Sequence, residues 1–236
     1  MWFVWVLLGC QGTVPISGRV FEGQGKAGFP LVGGVIRLVD EEGVELDRAV
    51  TGARGGFTLT GQVNQPLFAE ITGDGFGVSS FTGTTGLERL RVEDGALYAV
   101  ETRVIDAWTS LLAGCPGQAN EGGLVYGEVR LFQVVDPATG VEPTVGTAWA
   151  AVEAADGTRL EACYLDDEGV AFAPDSTRTG GTGRFAVFGV PAGLHTLEVG
   201  FDMPDGSAYT TLWTMWMPDG PGAVVPRFPV YVEFPF

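Results

Sequence analysis

Gly18-Arg19-Val20 followed by Gly55-Gly56-Phe57-Thr58-Leu59, then Gly127-Glu128-Val129 followed by Gly183-Arg184-Phe185-Ala186-Val187, state one phrase twice. Each copy opens a strand with Gly-x-Val, and each resumes after a glycine turn with a Phe at the head of another strand. The interval from that Phe to the centre of the next apolar run also repeats, Phe57 to Ile71 and Phe185 to Val199. A period of this size marks two copies of one supersecondary unit. The expected fold class is all-β, with two tandem β-sandwich domains.

Working outward, the alternation of Ile16, Gly18 and Val20 against Ser17, Arg19 and Phe21 opens the first domain. Gly33 to Val39 reads as a strand that ends in the acidic turn Asp40-Glu41-Glu42-Gly43, with Gly free to take a positive φ. Val44 to Thr51, Phe57 to Thr60 and Leu67 to Thr72 follow as short strands between glycine turns, the spacing of a sandwich. Between the repeats, Leu97, Val100, Val104, Ala107, Trp108, Leu111 and Leu112 recur at helical spacing. Gly114 and Pro116 then stop the helix, which is expected over 102–113. The second copy is longer between its opening Gly127 and Phe185, and the extra length predicts an inserted hairpin or loop from Asp166 to Arg178. The C-terminal Val224 to Phe236 carries Pro226, Pro229 and Pro235, which predicts an edge strand or a clamp along the sheet margin. The division expected is an apolar leader at 1–9, a tether at 10–15, domain one at 16–96, helix and linker at 97–123, and domain two at 124–236.

The 236 residues suit two cores of about a hundred residues each. A net charge of −16 disfavours nucleic acid and anionic lipid as partners. Met1-Trp2-Phe3-Val4-Trp5-Val6-Leu7-Leu8-Gly9 is too short to cross a bilayer as a helix. It ends at Cys10, and Leu7-Leu8-Gly9-Cys10 resembles the lipobox of bacterial lipoproteins, in which the Cys is lipidated. The stretch is short and lacks the basic residue that usually precedes such a segment; a start codon placed too far downstream accounts for both. The expectation is export, a lipid anchor at Cys10 as the only link to a membrane, and a place in the cell envelope. Gln11, where an Asp would retain a lipoprotein, favours the outer membrane over the inner one. With Cys10 lipidated, Cys115 and Cys163 remain as an even pair, expected as a disulfide, two buried thiols being the alternative.

Gly127-Glu128-Val129 with Thr182-Gly183-Arg184-Phe185-Ala186-Val187-Phe188-Gly189-Val190-Pro191-Ala192-Gly193-Leu194-His195-Thr196-Leu197 resembles the carboxypeptidase regulatory-like family. His195 stands where that family commonly has Tyr, and Gln62-Val63-Asn64-Gln65-Pro66 replaces the Val-Pro-Ala-Gly turn in the first copy. The resemblance implies a prealbumin-like sandwich for each domain, with one short connecting helix. It also implies an accessory module rather than a peptidase, since the shared motifs are turns and core positions.

Catalytic chemistry finds little to work with. The only histidine, His195, falls in a strand, and no Ser-centred elbow motif accompanies it. The only lysine, Lys26, lies in the loop Gly23-Gln24-Gly25-Lys26-Ala27-Gly28, a poor setting for a Lys–Asn crosslink to Asn64 or Asn120. No metal or other cofactor is expected. The acidic turns at Asp40 and at Asp166-Asp167-Glu168-Gly169 lack the alternating ligand spacing of a calcium loop, and the ordinary reading is a solvated hairpin turn. One stretch points to recognition, Tyr209 to Met217, with Tyr209, Trp213 and Trp216 as candidate binding residues. Tyr209, Thr211, Trp213 and Met215 share one strand face, and Leu212 and Trp216 share the other. Either one aromatic row is displayed to a glycan or a protein, or the rings fill the sandwich and the interdomain contact. The function expected is a non-enzymatic envelope scaffold or adhesin, the alternative being a carbohydrate-binding module.

Overall fold

The computed structural model describes residues 12–23, 28–93, 96–118, 121–131, 138, 144–169, 171–202, 206–220 and 222–232. The first repeat holds Thr13–Glu22 (β1), Phe29–Pro30 (β2), Val35–Val39 (β3), Glu45–Val50 (β4), Gly56–Gln62 (β5), Pro66–Thr72 (β6), Ser79–Thr84 (β7), Leu90–Arg91 (β8) and Leu97–Ala99 (β9). The helix Thr102–Leu111 (α1) follows. The second repeat holds Gly123–Leu131 (β10), Trp149–Ala154 (β11), Arg159–Glu161 (β12), Cys163–Tyr164 (β13), Arg184–Val190 (β14), Gly193–Asp202 (β15), Ala208–Met217 (β16) and Val224–Val232 (β17). The chain is all-β, with one helix among the described residues.

The repeated phrase has one structural meaning in both copies. Gly18 on β1 stands opposite Phe57 on β5, and Gly127 on β10 stands opposite Phe185 on β14. A Cβ on Gly18 would lie 3.1 Å from the Phe57 ring, so the glycine makes room for the aromatic across from it. The turn glycines match as well. Gly55 and Gly183 both have φ near +68°, and their carbonyls accept from Val20 N and Val129 N at 2.9 Å. A Cβ on Gly183 would sit 2.6 Å from the Val129 carbonyl, so the position is closed to other residues by conformation and by space.

The sheets tie the repeats together. An eight-stranded sheet in the order β13-β14-β10-β17-β7-β6-β3-β4 runs through both. A smaller sheet is built on β1, with β5 and β8 on opposite margins and β2 and β9 nearer its end. A four-stranded sheet, β12-β11-β15-β16, completes the second sandwich. Side-chain alternation places these two covers on opposite faces of the shared sheet. Ile36, Leu38, Ala69 and Ile71 face the β1 sheet and form the first core. Phe68 and Glu70 point the other way, where Trp216 of β16 arrives. In the second half, Val125, Val129, Phe185 and Val187 pack on the four-stranded sheet, while Tyr126, Ala186 and Phe188 face α1 and Tyr98. Each fully buried Phe, Leu or Ile in these layers stabilises by about 1.5–3 kcal/mol relative to exposure.

Three expected segments take these places. The C-terminal strand is a margin for most of its length: β17 lies inside the eight-strand order, parallel to β10 throughout, but it pairs with β7 only at Val224 opposite Ser79, and beyond that residue β10 is its one partner among the described strands. Pro226 falls in that stretch, which has one neighbour among the described strands, Pro229 falls where the register with β10 slips between Gly127 and Val129, and Pro235 lies outside the described residues. The helix expected over 102–113 is present as α1, Thr102–Leu111, while Leu97 to Ala99, which share its spacing in sequence and fall in the expected helix-and-linker segment, form β9 beside β1. Of the hairpin or loop expected from Asp166 to Arg178, the loop is the form present among the described residues, with a single bridge between Leu165 and Phe172.

Candidate functional site

The junction between the two sandwiches is where side chains distant in sequence converge. α1 ends with Leu112 in the core and Gly114 at φ +92°, a left-handed turn that releases the chain toward Cys115. Cys115 is bonded to Cys163 at the start of β13, with Cα atoms 5.9 Å apart. The expected disulfide is therefore present, between two buried cysteines, and it fastens the end of the helix to the edge of the shared sheet. Above the bond, Trp108 of α1 stacks on Tyr126 of β10, ring centroids 4.3 Å apart and planes 5° from parallel.

On the opposite face Trp216 is buried, and its Nε1 donates to Glu70 Oε1 at 2.8 Å. Glu70 Oε2 lies 3.6 Å from Arg37 Nε, and Arg37 reaches Glu45 at 3.0 Å. A buried carboxylate is thus held by one indole and one guanidinium, as burial of a charge requires. Gly43, at the end of the acidic turn, closes on the Trp216 ring, where a Cβ would come within 2.8 Å. A second buried acid, Glu128, accepts from Arg130 Nε at 2.6 Å and from Arg184 Nε at 3.3 Å. Neither Glu70 nor Glu128 was singled out from sequence. Each alternates with apolar neighbours like any outward strand residue, and only the second layer on that face buries it.

The candidate recognition strand shows no aromatic row. Tyr209 and Trp213 are half-buried against the core of the second sandwich, Tyr209 with its ring 5.3 Å from that of Phe201. Trp216 is in the junction. What β16 displays is Thr210, Leu212 and Thr214, with Leu212 66% exposed. Of the two alternatives for these rings, the filled sandwich and interdomain contact is the arrangement present.

His195 is buried in β15, and its Nε2 lies 2.7 Å from the carbonyl of Pro191. That carbonyl can only accept, so Nε2 carries the proton and Nδ1 is bare, without a partner among the described residues. Burial pushes the imidazole below its usual value, partly offset by the Pro191 bond and by Asp156. It is a structural histidine. The acidic turns are also spoken for: Asp40 Oδ1 accepts from Val44 N at 2.7 Å, and Asp167 Oδ1 from Gly181 N at 3.0 Å. No group of three or more His, Cys, Asp or Glu is placed to hold a metal among the described residues. Cys10, Lys26 and Asn120 lie outside the described residues, and Asn64 sits in a turn at φ 54°.

No family model and no curated protein matches the sequence. Among solved structures, the shaft pilin SpaA from Lactobacillus rhamnosus GG aligns at 12% identity and TM-score 0.30, over 94% of this chain and 99% of that one. The Bacillus anthracis TIE protein aligns at 12% and TM-score 0.28, over 91% and 33%. The major pilin subunit BcpA of Bacillus cereus aligns at 11% and 0.27, over 91% and 69%. Scores this low carry neither family nor function.

Proposed function

We propose that this chain is a non-enzymatic structural or adhesive scaffold of the cell envelope, exported and held to a membrane, the outer one in a two-membrane cell, by a lipid on Cys10. The observation that carries the reading is the shared sheet. Because β17 returns from the second repeat to lie between β10 and β7, the two sandwiches are joined through main-chain hydrogen bonds as well as a linker. Joined in this way, the repeats resist bending better than tandem modules on a flexible tether, which suits a spacer that presents a surface. The disulfide supports export, since bonds of this kind persist in oxidising compartments. The carboxypeptidase regulatory-like resemblance supports an accessory role. A protein or a glycan at the cell surface is the partner this reading expects.

The test is fractionation of a bacterium expressing the gene with its native upstream region. The wild-type protein partitions into detergent with the membranes, and Cys10→Ala moves it to the soluble exported fraction. Wild-type protein recovered wholly soluble, with Met1 intact, overturns the anchor. A cytoplasmic protein with free thiols overturns the envelope reading itself.

A further inference from the structure

The β1 sheet does not close fully against β7. Between them lies a cavity of about 320 Å³, open to one side. Its floor is aliphatic and buried, with Ile36, Leu38 and Leu59. Its rim is formed by Phe81, Thr82, Leu90, Val92 and Ala96, none of them fully buried. No charged side chain lines it among the described residues. Thr82 Oγ1 is buried there without a hydrogen-bond partner among the described residues.

The other side of the same strand pair has the opposite chemistry. β8 pairs with β1 alone among the described strands, so it is an edge. Leu90 and Val92 take its inner face, and alternation sends Arg89 and Arg91 outward. There a second cleft, about 370 Å³, is lined by Ser17, Gly18, Arg19, Arg89 and Arg91. Seven other arginines, from Arg37 to Arg184, are ion-paired with carboxylates. Arg89 and Arg91 are in no ion pair among the described residues, although Glu88 and Glu93 flank them in sequence. In a chain of net charge −16, an arginine cluster on the outward face of the edge strand whose inner face lines the apolar cavity is a local reversal of the surface.

We propose that the β8 margin binds an anionic amphiphile with a single aliphatic chain. The chain enters beneath β8 between Leu90 and Phe81, and the anionic head emerges at the free edge of β8, around which the long side chains of Arg89 and Arg91 reach it from the outward face. The cavity is within the range of small-molecule pockets, roughly 300–1,000 Å³. Taking about 30 Å³ per heavy atom, the share of a water molecule in the liquid, it holds a chain of about ten carbons. Paired guanidiniums suit an oxyanion through charge-assisted hydrogen bonds. The cavity meets the junction at Tyr98 and Pro226, but the proposal does not depend on the scaffold reading.

The test is calorimetric titration of the full-length chain carrying Cys10→Ser, with octanoate, decanoate and dodecanoate below their micellar concentrations. Expected are one site per chain and a gain of about fourfold in affinity per methylene up to ten carbons. Arg89→Ser with Arg91→Ser, both at exposed positions, lowers dodecanoate affinity at least tenfold and leaves dodecanol binding unchanged. Ala96→Trp, on the exposed rim, blocks both ligands. Absence of saturable binding overturns the proposal. So does binding indifferent to the arginine pair, or dodecyltrimethylammonium bound as tightly as dodecanoate.

Discussion

The indole of Trp216 donates to the carboxylate of Glu70 at 2.8 Å, across 146 residues of chain and from one sandwich to the other. Phe68, two residues before Glu70 and on the same strand face, keeps its ring 5.9 Å from the indole. One aromatic side chain therefore supplies both the apolar contact and the polar satisfaction of a buried acid. Trp216→Phe should keep the packing and leave Glu70 Oε1 without its donor, with Arg37 alone on the carboxylate, at a cost of about 1–3 kcal/mol. Trp216→Ala should cost about 3–5 kcal/mol. Combined with Glu70→Gln, Trp216→Phe should cost less than the sum of the two, the signature of coupled residues. Urea midpoints of the four proteins check this, and full additivity would remove the coupling.

The repeat was legible in the sequence because glycine chemistry is local. A Gly facing a Phe, and a Gly forced to positive φ, leave the same marks wherever they occur, and Gly18, Phe57, Gly127 and Phe185 carry them. The disulfide was reachable by counting. The place of β17 was not, because the parallel pairing of Val224 with Leu124 joins strands a hundred residues apart and leaves no local pattern. Its prolines argued for a margin, which β17 is past Val224 among the described strands, but they could not show the one pairing with β7 that carries the sheet across both repeats. Trp216 shared that fate. Its face could be read from strand period, but its partner belongs to the other repeat. The helical spacing that began at Leu97 shows the limit of periodicity, since a short strand abutting a helix can share its phase.

Neighbouring residues of β16 should respond in opposite ways to substitution. Trp213 is half-buried against the core that contains Leu197, its cross-strand partner, whereas Leu212 is 66% exposed. Trp213→Ala should lower stability by about 3 kcal/mol, near the lower end for aromatic truncation because the ring is not fully enclosed. Leu212→Ser should stay within about 0.5 kcal/mol of the parent. Thermal melts decide it. An unchanged melting temperature for Trp213→Ala would return that ring to the surface and reopen the glycan reading.

His195 should make stability fall as the solution is acidified below neutrality. Its native pKa is below the usual value near 6.5, chiefly through burial. Above that value neither state is protonated, and the residue adds no slope. As pH falls from about 6.5 toward the native pKa, the unfolded chain takes up a proton that the folded chain refuses, so unfolding is favoured. The slope from this one group is at most about 1.4 kcal/mol per pH unit. It ends once the native histidine also protonates. His195→Gln removes the titration, so the stability difference between wild type and variant should shrink between pH 7.5 and 5.5. The carboxylates act on both proteins alike and cancel in that difference. A difference that stays constant across the range would mean that the native imidazole protonates as easily as the unfolded one.

The Cys115–Cys163 bond closes a loop with a sequence separation of 48 residues, worth about 4 kcal/mol in the chain-entropy account. Both sulfurs are buried, so reductant should act slowly on the folded protein and quickly once it is unfolded. In the chain carrying Cys10→Ser, denatured without reductant, no thiol should react with a maleimide; after reduction two should. Cys115→Ser with Cys163→Ser should lower the unfolding free energy by about 4 kcal/mol, and the loss should not be uniform. α1 is held by its apolar face, by the Trp108–Tyr126 stack and by this bond at its C-terminal end. Without the bond, hydrogen exchange should speed up most in residues 102–111, while β3 and β6, in the first sandwich, keep their protection. Equal loosening of both sandwiches would mean that the bond stabilises the chain only through the unfolded state and does not fasten the helix to the sheet.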